Sequence, residues 1–246
     1  ELIGPARTAC PAYYNIRNPL GETAREMAIA DTRVALEAGF SAVKDHHLNS
    51  VDENIELLSI VRETAGPEIA LLHDAVQAGY TFEEAVRVGH ALEELNYGWL
   101  EEPLPDRDQA NLQRLCATLE VPVLALESLM HDITLSEQWL ISKTTDLVRT
   151  NARHGTTGML RLATLARKYS TTVEFNGPGG LFGLVHAHLC CGIENNTYYE
   201  YFPDGSRDEA GREIGLLNPA VPHGGSITYP EAPGWGAEWD WGFFEK

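Results

Sequence analysis

VDENIELLSIVRETAGPEIALLHDA, residues 51–75, reads as a helix that stops at Gly66 and a strand, IALLHDA, that ends in Asp74. The same unit recurs on both sides. Upstream, residues 22–38 place Met27, Ile29, Val34 and Leu36 at helical spacings before Gly39, and SAVKDH follows as a strand. Downstream, TFEEAVRVGHALEELNYG opens at Thr81 with Glu84 three residues on, a capping-box pattern, and leads into the strand WLEEPLP. The rhythm continues through DQANLQRLCATLE, VPVLALES, LSEQWLIS, DLVRTNA, TGMLRLATLARKY, TTVEFN, LFGLVHAHLCCGI and TYYEYF. With TACPAYY at 8–14 as the first strand, eight strands alternate with helices. Such alternation means parallel βαβ units, and eight strands close into a (β/α) barrel of (β/α)7β form. A doubly wound open sheet is the alternative, but no Gly-rich phosphate loop follows any strand.

The barrel is expected over residues 1–202. Residues 203–246 lose the alternation and are rich in Gly, Pro and Trp. They read as an irregular tail whose Trp235, Trp239, Trp241, Phe243 and Phe244 need a surface to pack on. Composition bounds the function. In 246 residues, 43% apolar content is ordinary for a folded domain. A net charge of −18 argues against nucleic acid or an anionic membrane as partner. No apolar run reaches the roughly 20 residues of a membrane helix. Cys10, Cys116, Cys190 and Cys191 show no framework spacing, which suits a reducing, cytoplasmic setting. A first residue other than Met is expected of a processed chain or a fragment.

Barrel chemistry sits at the C-terminal ends of the strands. By strand alternation Lys44 and His46 share one face and Asp45 takes the other. Asp74, Glu101 and Glu127 close the next three strands, one unit apart each time. Converging carboxylates repel unless a cation lies among them, and three oxygen donors suit Mg²⁺. The plain alternative is three unrelated acids among 36. Glu102 is the runner-up for Glu101, since the assignment depends on strand register. A divalent ion and an adjacent base are what removal of a weakly acidic α-proton of a carboxylate requires. His46 is the candidate base and Lys44 the companion cation. His47 is the rival, though alternation turns it outward.

AVKDH, LLHDA, WLEEP, VPVLALES, DLVRTN, VEFN and YYEYF, in that order over residues 8–202, resemble the barrel domain of the enolase superfamily, in its mandelate racemase and muconate lactonizing enzyme group. The resemblance implies a Mg²⁺ held by Asp74, Glu101 and Glu127. It implies Lys44 at the substrate carboxylate, His46 as base in place of the second lysine of a K-x-K pair, and Glu200 as an acid near the substrate carboxylate. Family members often carry an Asp–His dyad on strands six and seven. Here the matches are Asn151 and Asn176, which do not titrate usefully, with Arg149 sharing the parity of Asn151. Nothing before residue 8 can be the family's N-terminal capping domain, so that domain is expected on a separate chain, removed, or outside the structure. One-sided acid–base equipment points to an acid-sugar dehydratase acting on a small carboxylate, with assembly into a homo-oligomer. The alternatives are a racemase or epimerase, and a barrel that binds without catalysing.

Overall fold

A computed structural model of the chain describes residues 3–17, 23–77, 79–129, 132–177, 179–203 and 207–245. Eight parallel strands alternate with seven helices. They are β1 (Cys10–Asn15), α1 (Ala24–Glu37), β2 (Ala42–Asp45), α2 (Val51–Ala65), β3 (Ala70–Asp74), α3 (Phe82–Glu94), β4 (Leu100–Glu101) and α4 (Gln109–Thr118). There follow β5 (Val123–Ala125), α5 (Ile133–Ile141), β6 (Leu147–Thr150), α6 (Gly155–Lys168), β7 (Val173–Phe175), α7 (Gly180–Gly192) and β8 (Tyr199–Tyr201). The hydrogen-bonded path runs β7-β6-β5-β4-β3-β2-β1-β8. Its two ends meet in the loop before β8, where Val173 N donates to Asn195 O at 2.9 Å and Asn196 Nδ2 donates to Val173 O at 3.1 Å. The curled sheet is the (β/α)7β barrel that the alternation predicts.

Local chemistry sets the helix ends. Ser50 with Glu53 and Thr81 with Glu84 form reciprocal capping boxes at α2 and α3. Gly66 ends α2 at φ +78°, where a side chain would be strained. Arg62 then ties that end to the next unit, donating to the carbonyls of Gly66, Ile69, Leu95 and Asn96. Between helices and sheet lies one continuous apolar layer that includes Val43, Leu58, Leu71, Leu92, Leu115, Val123, Val148 and Leu189.

Inside the barrel is a second, smaller cluster of Tyr13, Ala42, Leu72, Trp99 and Leu124. It plugs the lower half of the barrel, so the strands' C-terminal ends stand over a solid floor.

The segment after β8 is less irregular than its composition suggests. It holds a 3₁₀ turn at Glu209–Ile214, a strand β9 (Ser226–Ile227) antiparallel to Cys10–Pro11 of β1, and a short helix α8 (Trp241–Phe244). Leu216, Ala220 and Ile227 join the main core. Tail aromatics stack largely on one another, Phe244 against Trp239, Trp241 and Phe243, and Trp241 stays exposed. Among the described residues, no helix is long and apolar enough to cross a membrane.

Candidate active site

The side chains that face into the barrel change character two residues above the floor. Ala42 gives way to Lys44, Leu72 to Asp74, Trp99 to Glu101, Leu147 to Arg149 and Tyr198 to Glu200. Asp74 and Glu101 are partners across the β3–β4 ladder, and Tyr13 of β1 is paired with Glu200 of β8. All five charged groups are buried, Lys44, Glu101 and Arg149 at 1% exposure or less.

Lys44 Nζ lies 3.0 Å from Asp74 Oδ2, 2.8 Å from Glu101 Oε2 and 3.0 Å from Glu200 Oε1. The contact to Glu101 is a hydrogen bond and the other two are ion pairs. Lys44 thus draws three carboxylates around one ammonium. Arg149 takes the opposite side, with Nε 2.8 Å from Glu101 Oε1 and 3.5 Å from Glu127 Oε2. Its Nη2 lies 3.1 Å from Glu200 Oε2 and donates to Tyr13 Oη at 3.0 Å. Glu200 also accepts from Gly177 N and from Asn15 Nδ2, the latter at 3.4 Å.

Charge follows from these contacts. Burial alone would raise the Asp74 and Glu200 carboxyls, but Lys44 and His46 hold Asp74, and Arg149 and Lys44 hold Glu200, well below the usual carboxylate range. Burial would likewise neutralise Lys44 and Arg149, and their acidic neighbours keep both cationic. Glu101 goes the other way. Burial pushes its carboxyl well up against the pull of Arg149 and Lys44, with Asp74 and Glu200 adding to the rise. The cluster is short of positive charge at Glu101.

Glu127 corrects the idea of three acids at equivalent strand ends. Glu101 is level with Leu124, so Glu127 lies three positions further on, two past the end of β5. Leu126 sits at φ +87°, which sends its side chain into the outer core and turns Glu127 toward Arg149. Asp106, buried in the loop after β4, accepts from Leu126 N at 2.7 Å, Ser128 N at 2.8 Å and Ser128 Oγ at 2.7 Å, and so holds that turn. Glu127 remains 31% exposed at its side chain. Glu102 has its own φ of +44° and accepts from Gln77 Nε2 at 3.0 Å, with no ion pair to Lys44 or Arg149 among the described residues. Burial pushes the Glu102 carboxyl up to about 8.

His46 follows β2 at the rim, its side chain 18% exposed, with Nε2 3.4 Å from Asp74 Oδ2. Asp45 and His47 lie behind the strand. His73 Nδ1 is 2.6 Å from Asp45 Oδ1 and His47 Nε2 is 3.7 Å from the same atom. His47 is turned from the barrel interior as alternation requires, but it is buried, and burial holds its imidazole below the ordinary value. Asn151 Nδ2 donates to Asn176 Oδ1 at 3.1 Å, while Asn151 Oδ1 accepts from Arg153 N and caps the 3₁₀ turn Ala152–His154.

The donor set of Asp74, Glu101 and Glu127 suits a hard divalent cation. With all four carboxylates ionised, Lys44 and Arg149 leave an excess of two negative charges that one divalent ion cancels, and Glu101 Oε1 is buried without a hydrogen bond. The residues fit such an ion in kind and in charge. As the side chains lie, Lys44 and Arg149 stand between the acids, and no three His, Cys, Asp or Glu among the described residues form a ready ligand cluster.

Tyr13, Asn15, Gly177 and Asp106 escape a reading based on strand-end acids. Tyr13 and Asn15 share the inward parity of β1, a signal open to the same alternation argument. Gly177 and Asp106 act through loop geometry that no spacing reveals.

A barrel floored by apolar side chains and topped by paired acids and cations defines a class of (β/α) barrel with its site at the strands' C-terminal ends. Residues 26–242 match the Enolase C-terminal domain-like family, and the chain belongs to it, in the mandelate racemase and muconate lactonizing enzyme group of the enolase superfamily. The chain is 27% identical over 206 residues to an L-talarate/galactarate dehydratase of Salmonella typhimurium, covering 82% of this chain and 50% of that protein. It is 26% identical over 264 residues to an arabinonate dehydratase of Saccharolobus solfataricus, covering 100% of this chain and 65% of that one. A solved enolase-superfamily member from Polaromonas sp. JS666 superposes with a TM-score of 0.87 at 26% identity, over 99% of this chain and 64% of that chain. The chain thus spans half to two-thirds of the length of these relatives.

Proposed function

We propose that the chain is the catalytic barrel of a Mg²⁺-dependent carbon–oxygen lyase that dehydrates a hydroxylated carboxylate, an acid sugar. One observation carries the reading: Lys44, Asp74, Glu101, Arg149, Glu127 and Glu200 meet over the apolar floor, with His46 at the rim beside them. The two dehydratases among the relatives support the substrate class. Asp74, Glu101 and Glu127 would hold the Mg²⁺, which supplies positive charge where negative charge builds up as an α-proton leaves a carboxylate.

The chain's own groups do the rest. His46 Nε2 takes the proton from the carbon next to the carboxylate. The electron pair of the broken C–H bond stays on that carbon and its carboxylate, where it can recapture a proton or solvent deuteron from His46, and then forms a C=C bond as the β-hydroxyl departs with the proton of His46. Water leaves, and the enol product tautomerises to a 2-keto acid. Lys44 keeps Asp74 ionised and fixed, and Arg149 with Tyr13 orients Glu200. Asn151 and Asn176 carry no exchangeable acid on the opposite face, which favours one-sided elimination over racemisation. A cytoplasmic setting belongs to the same reading and is supported by four free cysteines. Assembly into a homo-oligomer is a further part of it.

The test is incubation with a panel of aldonic and aldaric acids in D₂O with Mg²⁺, followed by NMR. The expected result is α-deuterium and a 2-keto product for at least one acid. α-Deuterium with a stereoisomer and no keto acid selects the racemase. Ion binding with no exchange on any acid selects a barrel that only binds.

A further inference from the structure

Arg149 is a buried cation in the place where a metal's charge is wanted. Its Nε faces Glu101 Oε1 at 2.8 Å and Glu127 Oε2 at 3.5 Å. The contact is close but misaligned: Arg149 Nε, Arg149 Nη1 and Glu101 Oε1 are all buried and none makes a hydrogen bond among the described residues. The Nη2 edge is the anchored one, bound to Tyr13 and Glu200. One side of the guanidinium is thus fixed to the barrel wall, while the other is a point charge against two of the three acids proposed to hold the ion.

We infer that Arg149 is an internal competitor of the divalent metal, occupying the Glu101–Glu127 side of the site until an ion displaces its Nε edge. The inference rests on the metal reading above and adds a control to it. A neutral residue at 149 would leave Glu127 without its cation and Glu101 with Lys44 alone. Metal affinity would then be set by the acids and Lys44, and in this chain the guanidinium lowers it further. Coupling between two binding events within one protein typically changes affinity by about 5–150-fold. Glu127, partly exposed and carried on a turn beyond β5, is the donor with freedom to exchange Arg149 for the ion. Lys44 is not equivalent, because its ammonium lies 2.8–3.0 Å from three carboxylates at once and donates to Glu101.

Mn²⁺ serves as the probe, with free ion followed by EPR on the full chain. Arg149→Met should bind Mn²⁺ at least about tenfold more tightly than the parent, within the usual range of such coupling, and Arg149→Lys should fall between them. Because Arg149→Met leaves Glu200 short of a partner, cooperative thermal unfolding is checked first. A second measurement needs only the parent: the ¹⁵Nε resonance of Arg149, assigned by its loss in Arg149→Lys, should move on titration with Mg²⁺. Unchanged or weaker Mn²⁺ binding in a folded Arg149→Met, or a still resonance while the parent binds Mg²⁺, overturns the competition and leaves the metal reading standing. No binding by parent or by variant at millimolar Mn²⁺ overturns both.

Discussion

The lower and upper halves of the barrel interior are built by the same strands, two residues apart, and they obey different physics. Below, Ala42, Leu72, Trp99 and Leu124 fill space, and Tyr13 adds one hydroxyl, which accepts from Arg149. Above, Lys44, Asp74, Glu101, Arg149 and Glu200 are as deeply buried, and each depends on the others for its charge. Shape tolerates repacking, whereas an unpaired buried charge must either be neutralised or destabilise the fold. The comparison teaches that the floor makes the barrel and the upper layer makes its chemistry, at a cost in stability that only mutual pairing offsets.

The strongest challenge to this division is Lys44→Met. It strands Asp74, Glu101 and Glu200 without their shared ammonium and should cost roughly 3–5 kcal/mol in urea unfolding, along with the α-proton exchange. A loss under about 1 kcal/mol would mean the upper layer tolerates charge imbalance as the floor tolerates volume changes. In the floor, Leu72→Ala should cost a comparable ~2–5 kcal/mol through the cavity it leaves, while the exchange rate per folded molecule stays close to the parent's. If it abolishes exchange instead, the two halves are not separable.

Gly177→Ala is a smaller perturbation at the seam between β7 and β8. A Cβ there would stand 2.8 Å from the Glu200 carbonyl oxygen and 3.0 Å from its Cγ, so about 1–3 kcal/mol is expected in the same unfolding assay.

Asp208 sharpens the point about pairing through pH alone. It accepts from Tyr199 Oη at 2.6 Å and from Phe202 N at 3.0 Å, with no ion pair among the described residues. Burial pushes its carboxyl up to about 7, in contrast to the paired Asp74 and Glu200. A folded-state value above the unfolded one means stability is fully present below about 4 and declines as pH rises toward 7. The slope is at most ~1.4 kcal/mol per pH unit. Asp208→Asn should remove this decline in denaturation curves measured from pH 4 to 7, and a parallel pair of profiles would contradict it.

The sequence carries the upper layer well because strand alternation is strict. Once β2, β3, β4, β6 and β8 are recognised, Lys44, Asp74, Glu101, Arg149 and Glu200 follow by parity. It carries Glu127 for a misleading reason. Equal spacing suggests a matched strand end, whereas the side chain arrives through a left-handed Leu126 that Asp106 stabilises, and neither feature has a compositional mark. The cost of burying His47 and His73 around Asp45 is equally invisible, since His47 follows a strand end and reads as exposed, and nothing in the β3 sequence marks His73 as a partner of Asp45. Arg149 is visible by parity, but its position between Glu101 and Glu127 depends on how three strands stagger.

The most direct test of the central claim is α-proton exchange in D₂O by the parent and by His46→Asn, with Mn²⁺ affinity measured on both. His46 touches the cluster only through one 3.4 Å contact to Asp74, so the account predicts that ion binding is nearly unchanged. Exchange should fall by about 10²–10⁴-fold, the usual worth of a general base. Exchange at the parent rate in His46→Asn, with the ion still bound, would contradict the account.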